Sequence, residues 1–481
     1  MNRSIRFASI FGLLLVVVLL VNLTVIHGFS QDKYANNSLN RRNFIELKSS
    51  PRGQISASGQ ILAQSVQDSD GFYQRNYVTS PIAFGPVEGY YSDIYGASGL
   101  ESSYNNVLNG TQKTAKQWWR QLVDDKKTVG NVELSIIPSV QQVAYDQLAN
   151  SGYEGAVVAI RPSTGEILAM ASTPSYDPSA ISNPDTAEDT WAQLNANDGD
   201  PLLNHATQET LPPGSTFKVI TTAAALNSGY GPNSTLTGAS QITLPDSTTT
   251  LENYGGETCA SQSTVTLRTA FQYSCNTAFV QLSIGAGIDA FKNAAAAFGV
   301  GDTYDLGIPM SAGTIGDINY DAELGQSAIG QRDVSISVLQ NAVIAATVAN
   351  GGKRMEPHLV SKVVGDDLSV LSETQPKELN QAISSDVAST ITDLMRASEQ
   401  HTSGYTGADI ASKTGTAEHG VDSRNSNPHA WYIAFGPSTN ADVAVAVVVK
   451  NGGDLGQAAT GGSVAAPIGR AVINAVHNAQ G

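Results

Sequence analysis

An apolar run from Phe7 to Ile26 constrains this chain more than any other stretch. It has about the length that crosses a bilayer as a helix, and nothing later in the sequence is long and apolar enough to span again. Arg3 and Arg6 precede it, and a positive flank predicts a cytoplasmic end. The expected layout is a cytoplasmic tail over 1–6, a transmembrane anchor over 7–27, and the bulk of the chain at the outer face of the membrane. A cleaved signal peptide is the competing reading. Its apolar core is usually shorter, and Gly28-Phe29-Ser30 is only a weak small-x-small site.

The 481 residues exceed one ordinary domain, so about two are expected. Lysine and arginine number 27 against 43 aspartates and glutamates, and the net charge of -16 argues against a nucleic-acid partner. Cys259 and Cys275 are the two cysteines, both beyond the anchor. An oxidising compartment permits a disulfide between them. Two buried thiols fit the sequence equally, because it holds no distance.

Chemistry concentrates in Leu211-Pro-Pro-Gly-Ser-Thr-Phe-Lys218. Pro212, Pro213 and Gly214 read as a turn. Ser215 to Leu226, with Val219, Ile220, Ala223 and Leu226 at helical spacing, reads as a buried helix. Residues three apart share a helix face, which brings Lys218 within reach of the Ser215 hydroxyl. A serine is a poor nucleophile unless a base takes its proton, and a lysine serves when burial or a neighbouring cation favours its neutral amine. Alone, the stretch fits a helix cap and a solvated lysine as well. Ser274-Cys275-Asn276 and Lys413-Thr-Gly-Thr416 change that balance. The ordered set SxxK, SxN, KTG is the signature of penicillin-binding proteins and class A β-lactamases.

From about residue 50 to its end the chain resembles the class B penicillin-binding proteins. Arg52-Gly-Gln-Ile55, Tyr95-Gly96, Gly99-Leu-Glu101 and Leu108-Asn-Gly110 are similar to that family's N-terminal pedestal. The segment before residue 150 is too short for the glycosyltransferase domain of a class A synthase. The resemblance, strongest to a short-pedestal actinobacterial type, implies a linker and dimerisation-type pedestal over 28–150 and a transpeptidase domain over 151–481. It implies a peptidoglycan D,D-transpeptidase in which Ser215 is the nucleophile, Lys218 its general base and Ser274 a proton relay. Asn276 would orient Lys218 and the substrate amide. Lys413 would attract a terminal carboxylate and disfavour protonation of Lys218. Thr414 and Thr416 would bind that carboxylate, Gly415 would leave room for substrate backbone, and the N–H groups of Ser215 and Thr416 would form an oxyanion hole.

Stem peptides and β-lactams are the implied ligands. A SEDS-type glycosyltransferase and division or elongation proteins are the implied partners, and no metal or organic cofactor is expected. A bond between Cys259 and Cys275 would brace the SxN loop. Hydrolysis of the same acyl-enzyme, by a D,D-carboxypeptidase or a β-lactamase, is one alternative, and a catalytically idle division scaffold is another. The family's Asn-Arg-Ala is Asn204-His-Ala206 here, and Arg332 replaces the last glycine of its Ile-Gly-Gln-Gly segment.

The rest of the pattern supplies the fold class. Val132 to Leu148 reads as a strand, Pro138 and a helix, and Gly155 to Thr173 as a hairpin about a Pro-Ser-Thr-Gly turn. Phe72 to Tyr104 suggests short strands and turns, Pro174 to Thr210 a long surface connection, and Val334 to Ala349 a helix. Ile410–Thr416, His429–Phe435 and Ala441–Lys450 read as adjacent antiparallel strands before a closing helix from Gly461 to Val476. Together these give α+β, helices on an antiparallel sheet, in the transpeptidase and serine β-lactamase-like fold that the resemblance implies. His205, His419 and His429 lack metal-ligand spacing. Glu418 reads as a solvated loop carboxylate, Trp118 and Trp119 as pedestal packing, and Trp431 as core.

Overall fold

A computed structural model describes residues 3–29, 48–111, 129–419 and 426–480. The expected linker at 31–43 and the pair Trp118 and Trp119 lie outside the described residues. Packing divides the chain into two units, Met1–Arg52 with Ser65–Gln74 and Gly53–Gln64 with Arg75–Gly481. The smaller unit holds the helix Arg3–Phe29, long and apolar enough to cross a membrane. Leu13 and Val18 on it are exposed, as a lipid-facing span requires.

The larger unit is built round a five-stranded antiparallel sheet. Its strands are β1 (Gly155–Ile160), β2 (Ile167–Thr173), β3 (Ala411–Ala417), β4 (His429–Gly436) and β5 (Val443–Val449), in the order β3-β4-β5-β1-β2. The strand with the KTG motif is therefore an edge. Around the sheet lie α1 (Pro138–Ala149), α2 (Lys218–Asn227), α3 (Asn276–Ala286), α4 (Val338–Ala349), α5 (Ser385–His401) and α6 (Ala466–Gln480). Every residue of β5 is buried, because both faces are covered and side chains alternate between them. Val443, Val445, Val447 and Val449 pack with residues of α1 and α6, while Ala444, Ala446 and Val448 share a cluster with α4. The small side chains sit where α4 crosses.

Three expectations change in detail. Phe72 to Tyr104 holds the helices Pro81–Glu88 and Gly99–Ser103 as well as short strands. Pro81 opens the first of them at a position where its missing N–H costs nothing, and Phe84 and Val87 bury one face. Pro174 to Thr210 is not a bare surface connection. It carries Pro178–Ser182 and Ala187–Asn195, and Tyr176 and Ile181 are buried beside Tyr90. Helix α4 starts at 338 rather than 334, because Ile336 exchanges backbone hydrogen bonds with Leu211 just before Ser337 caps the helix.

A second sheet runs in the order Val370–Glu373, Val360–Gly365, Gly130–Leu134, Ile55–Ala57, and then into Gln60–Gln67 and Tyr73–Tyr77. The hairpin at 360–373 thus completes a sheet begun by the N-terminal segment. The expected boundary at residue 150 is not a line across which the chain stops pairing.

Candidate active site

The serine turn is shaped by close backbone approaches. Gly214 has φ 54°, the left-handed region that favours glycine, and its N–H donates to Gly330 O at 3.0 Å. A Cβ on Gly330 would fall 2.1 Å from Gly214 O, and one on Gly415 2.7 Å from Pro213 O. The turn is wedged between these two glycines, and a side chain at either would meet its backbone. Trp431 Nε1 donates to Pro212 O at 2.9 Å, and Asn341 Nδ2 from α4 donates to Thr216 Oγ1 at 3.1 Å. Neither residue carries a motif that sequence reasoning could have used. Gly214–Phe217 forms a 3₁₀ turn, and α2 begins only at Lys218.

Lys218 is fully buried. Its Nζ donates to Ser274 O at 2.7 Å, to Ser274 Oγ at 3.2 Å and to Asn276 Oδ1 at 2.7 Å. Lys413, on β3 and 1% exposed, donates to Ser274 Oγ at 2.9 Å and to Thr414 O at 2.9 Å. One serine hydroxyl therefore stands between two lysine nitrogens, with the Phe279 ring 5.2 Å from Lys218 Nζ and the Phe271 ring 5.9 Å from Lys413 Nζ. Burial, and then the charge of Lys413, holds the Lys218 amine well below the usual lysine range, while burial pushes Lys413 down to about 7. Two ammonium groups cannot both stay charged behind these walls, and the direction for both is toward the neutral amine.

Among the described residues, no hydrogen bond joins Ser215 Oγ to Lys218 Nζ. The contacts of Lys218 Nζ run to the SxN loop instead. A contact between nucleophile and base commonly tightens only when substrate arrives. Ser274 itself has φ 59°, a conformation that costs a non-glycine residue about 1–2 kcal/mol. Cys275 N–H to Ala270 O, at 2.9 Å, and the Cys259–Cys275 disulfide, with Cα atoms 5.6 Å apart, both hold the loop at the residue after Ser274.

Ser215, Ser274, Asn276, Thr414 and Thr416 line one cleft of about 1030 Å³, together with Tyr254, Arg332, Glu418 and His419. Arg332 has φ 62°, in the left-handed region that favours glycine, and its guanidinium donates to Asp317 O and Glu323 Oε1 at 2.6 and 2.8 Å. His419 stacks on His429 with ring centres 3.8 Å apart, and His205 lies between Glu209 and Gly199 O. Asn204, whose neighbour departs from the family pattern, is buried and donates to Pro86 O at 3.1 Å. A serine hydroxyl lining the cleft, a buried amine of lowered basicity and a second serine hydroxyl between two lysine nitrogens are groups that can together form and break an ester.

Residues 155–474 match the penicillin-binding protein transpeptidase domain, and residues 52–132 the penicillin-binding protein A dimerisation domain. The peptidoglycan D,D-transpeptidase PbpA of Mycolicibacterium smegmatis is 48% identical over 490 residues, covering 99% of this chain and 99% of that one. PbpA of Mycobacterium tuberculosis is 46% identical with the same coverage. The solved ceftriaxone acyl-enzyme complex of penicillin-binding protein A from M. tuberculosis matches with TM-score 0.86 at 46% identity, over 90% of this chain and 99% of that one. The penicillin G acyl-enzyme complex of the same protein matches with TM-score 0.84 at 47% identity, over 89% and 99%.

Proposed function

This chain belongs to the penicillin-binding transpeptidases, and from that premise we propose which of its residues carry the reaction. It is a peptidoglycan D,D-transpeptidase that works through an acyl-serine intermediate and is acylated by β-lactams. In our assignment Ser215 Oγ attacks the carbonyl carbon of the penultimate D-alanine of a stem peptide, and its proton passes to the neutral amine of Lys218. Ser274 Oγ gives a proton to the departing amine of the terminal D-alanine and is resupplied from Lys218. The amine of a neighbouring stem then attacks the ester, loses its proton to Lys218, and Ser215 leaves with a proton returned.

The backbone N–H groups of Ser215 and Thr416 would hold the oxyanion. Thr414 and Thr416 would meet the substrate carboxylate beside Lys413, whose charged form the incoming anion favours. The observation that supports this most is the continuous line Lys218 Nζ, Ser274 Oγ, Lys413 Nζ at 3.2 and 2.9 Å, in the cleft that Ser215 lines.

The apolar helix fits a single-pass anchor, and Arg3 and Arg6 favour a cytoplasmic tail with the larger unit outside. A SEDS-type glycosyltransferase is the partner proposed by resemblance, and cross-linked pull-down of the full-length chain that recovers none would remove it. A membrane-impermeant fluorescent penicillin applied to intact cells tests site and sidedness together. It is expected to label the wild type and not Ser215→Ala. Label on Ser215→Ala overturns the nucleophile, and label that appears only after lysis overturns the sidedness.

A further inference from the structure

Helix α3 begins at Asn276 with Cys275 as its N-cap, a residue whose sulfur is bonded to Cys259 and makes no cap hydrogen bond. The first amides of a helix need acceptors, and an N-cap oxygen ordinarily supplies one. Here the acceptor comes from a different segment. Asn253 Oδ1 takes the Thr277 N–H at 3.0 Å and lies 3.2 Å from Thr277 Oγ1. Its Nδ2 donates to Ala239 O and to Glu257 O, both at 3.0 Å. One side chain, only 8% exposed, thereby fastens the short strand Thr250–Glu252 to the start of α3.

The carbonyl next to it completes the arrangement. Glu252 O accepts from Asn276 Nδ2 at 3.0 Å, while Asn276 Oδ1 accepts from Lys218 Nζ at 2.7 Å. A side-chain amide has one donor end and one acceptor end. With Nδ2 held by Glu252, Oδ1 is turned to the lysine. Among the described residues Glu252 O is the acceptor of Nδ2, and without it the amide can rotate and aim its own N–H groups at Lys218.

We propose that Asn253 is a positioning residue for acyl transfer: it caps the SxN helix from outside and sets the Glu252 carbonyl that decides which end of the Asn276 amide meets Lys218. The inference rests on the assignment of Lys218 as the base. It predicts that Asn253 and Asn276 act as one unit. The groups packed about Lys218 are Ser274 and Asn276 on the SxN loop and, as the charged neighbour, Lys413 on β3.

The test is a double-substitution cycle on the full-length protein in detergent, reading the second-order rate of acylation by a fluorescent penicillin against pH. Asn253→Ala is expected to slow acylation about tenfold, the size of a lost cap. Asn276→Ala is expected to slow it further, and the double variant to match Asn276→Ala within about twofold. Loss of an acceptor from the ammonium should also move the acid limb of the profile to lower pH in both single variants, which a cap that merely supports the fold would not do.

Independent, multiplicative losses, or an acid limb that stays in place, overturn the inference. Should Asn253→Ala fail to fold, Asn253→Asp serves in the same cycle. It keeps the oxygen that caps α3 and sets a second one against the carbonyls of Ala239 and Glu257, and the same non-additivity is expected. Asn253→Ala at the wild-type rate beside a slow Asn276→Ala removes this inference alone. Asn276→Ala at the wild-type rate removes the assignment beneath it as well.

Discussion

Replacing Glu399 with alanine should damage the fold and the active site through one buried network. Glu399 lies on α5 with no exposure, and its Oε1 accepts Arg470 Nε–H at 2.7 Å. Oε2 accepts the hydroxyls of Tyr432, at 2.9 Å, and Ser412. Burial and then the neighbouring Glu399 push the Tyr432 phenol well up. Glu399→Ala leaves the Arg470 guanidinium, 12% exposed, without its carboxylate, and breaking a buried pair from one side costs about 3–5 kcal/mol. Two buried hydroxyls also lose their acceptor, at about 1 kcal/mol or more each.

Removing both charges costs less than the sum, because Arg470 is no longer stranded. The Glu399→Ala and Arg470→Ala cycle should therefore show a coupling of about 2 kcal/mol or more. Equilibrium urea unfolding of the full-length protein, followed by tryptophan fluorescence, measures it. Ser412 immediately precedes Lys413 on β3, so Glu399→Ala should also slow penicillin acylation severalfold. Additivity within about 0.5 kcal/mol would show that α5 and α6 are not joined through this carboxylate.

Glu88 is fully buried, neither of its oxygens has a hydrogen-bond partner among the described residues, and burial, with Glu101 adding to it, raises its pKa well above the usual 4.5. The unfolded chain loses that proton above about pH 4.5 while the folded chain keeps it, so stability falls with rising pH by on the order of 1 kcal/mol per unit until the folded acid ionises. Glu88→Gln should melt higher than wild type at neutral pH by a margin that shrinks toward pH 4.5, and a constant margin would show that Glu88 is not held protonated. Lys413, at about 7, should give the acylation rate a falling limb above neutrality, as its attraction for the β-lactam carboxylate is lost on deprotonation. In Lys413→Arg, which stays charged, that limb should disappear, and its persistence would assign it to another group.

What the sequence made legible was local. The SxxK spacing puts Ser215 and Lys218 close together along the chain, and the apolar run Ala441–Lys450 reads as a strand. These patterns lie within a few residues of one another, where helix and strand periods act directly. The hairpin at 360–373 that joins the N-terminal sheet, the Trp431 bond to Pro212 O and the Asn253 cap on α3 were not legible. Each depends on an acceptor or an edge supplied by a distant segment, and any polar side chain of similar reach would have looked the same in one dimension.

The same division explains the one contact that periodicity overstated. Spacing correctly put Lys218 three residues beyond Ser215, yet all three of its hydrogen bonds run to Ser274 and Asn276. A helix period fixes the side of the chain on which an amine emerges. Where that amine points is then decided by the strongest acceptors within reach of a long, flexible stem, and in a buried site these must be found, because an unmet N–H there costs about 1–3 kcal/mol. The SxN loop, braced by a disulfide and by Asn253, presents them ready made. The lysine is thus held against Ser274 rather than Ser215, and under the roles we propose arrival of the substrate carbonyl would have only to draw Ser215 into a hydrogen-bond chain whose other members are already aligned.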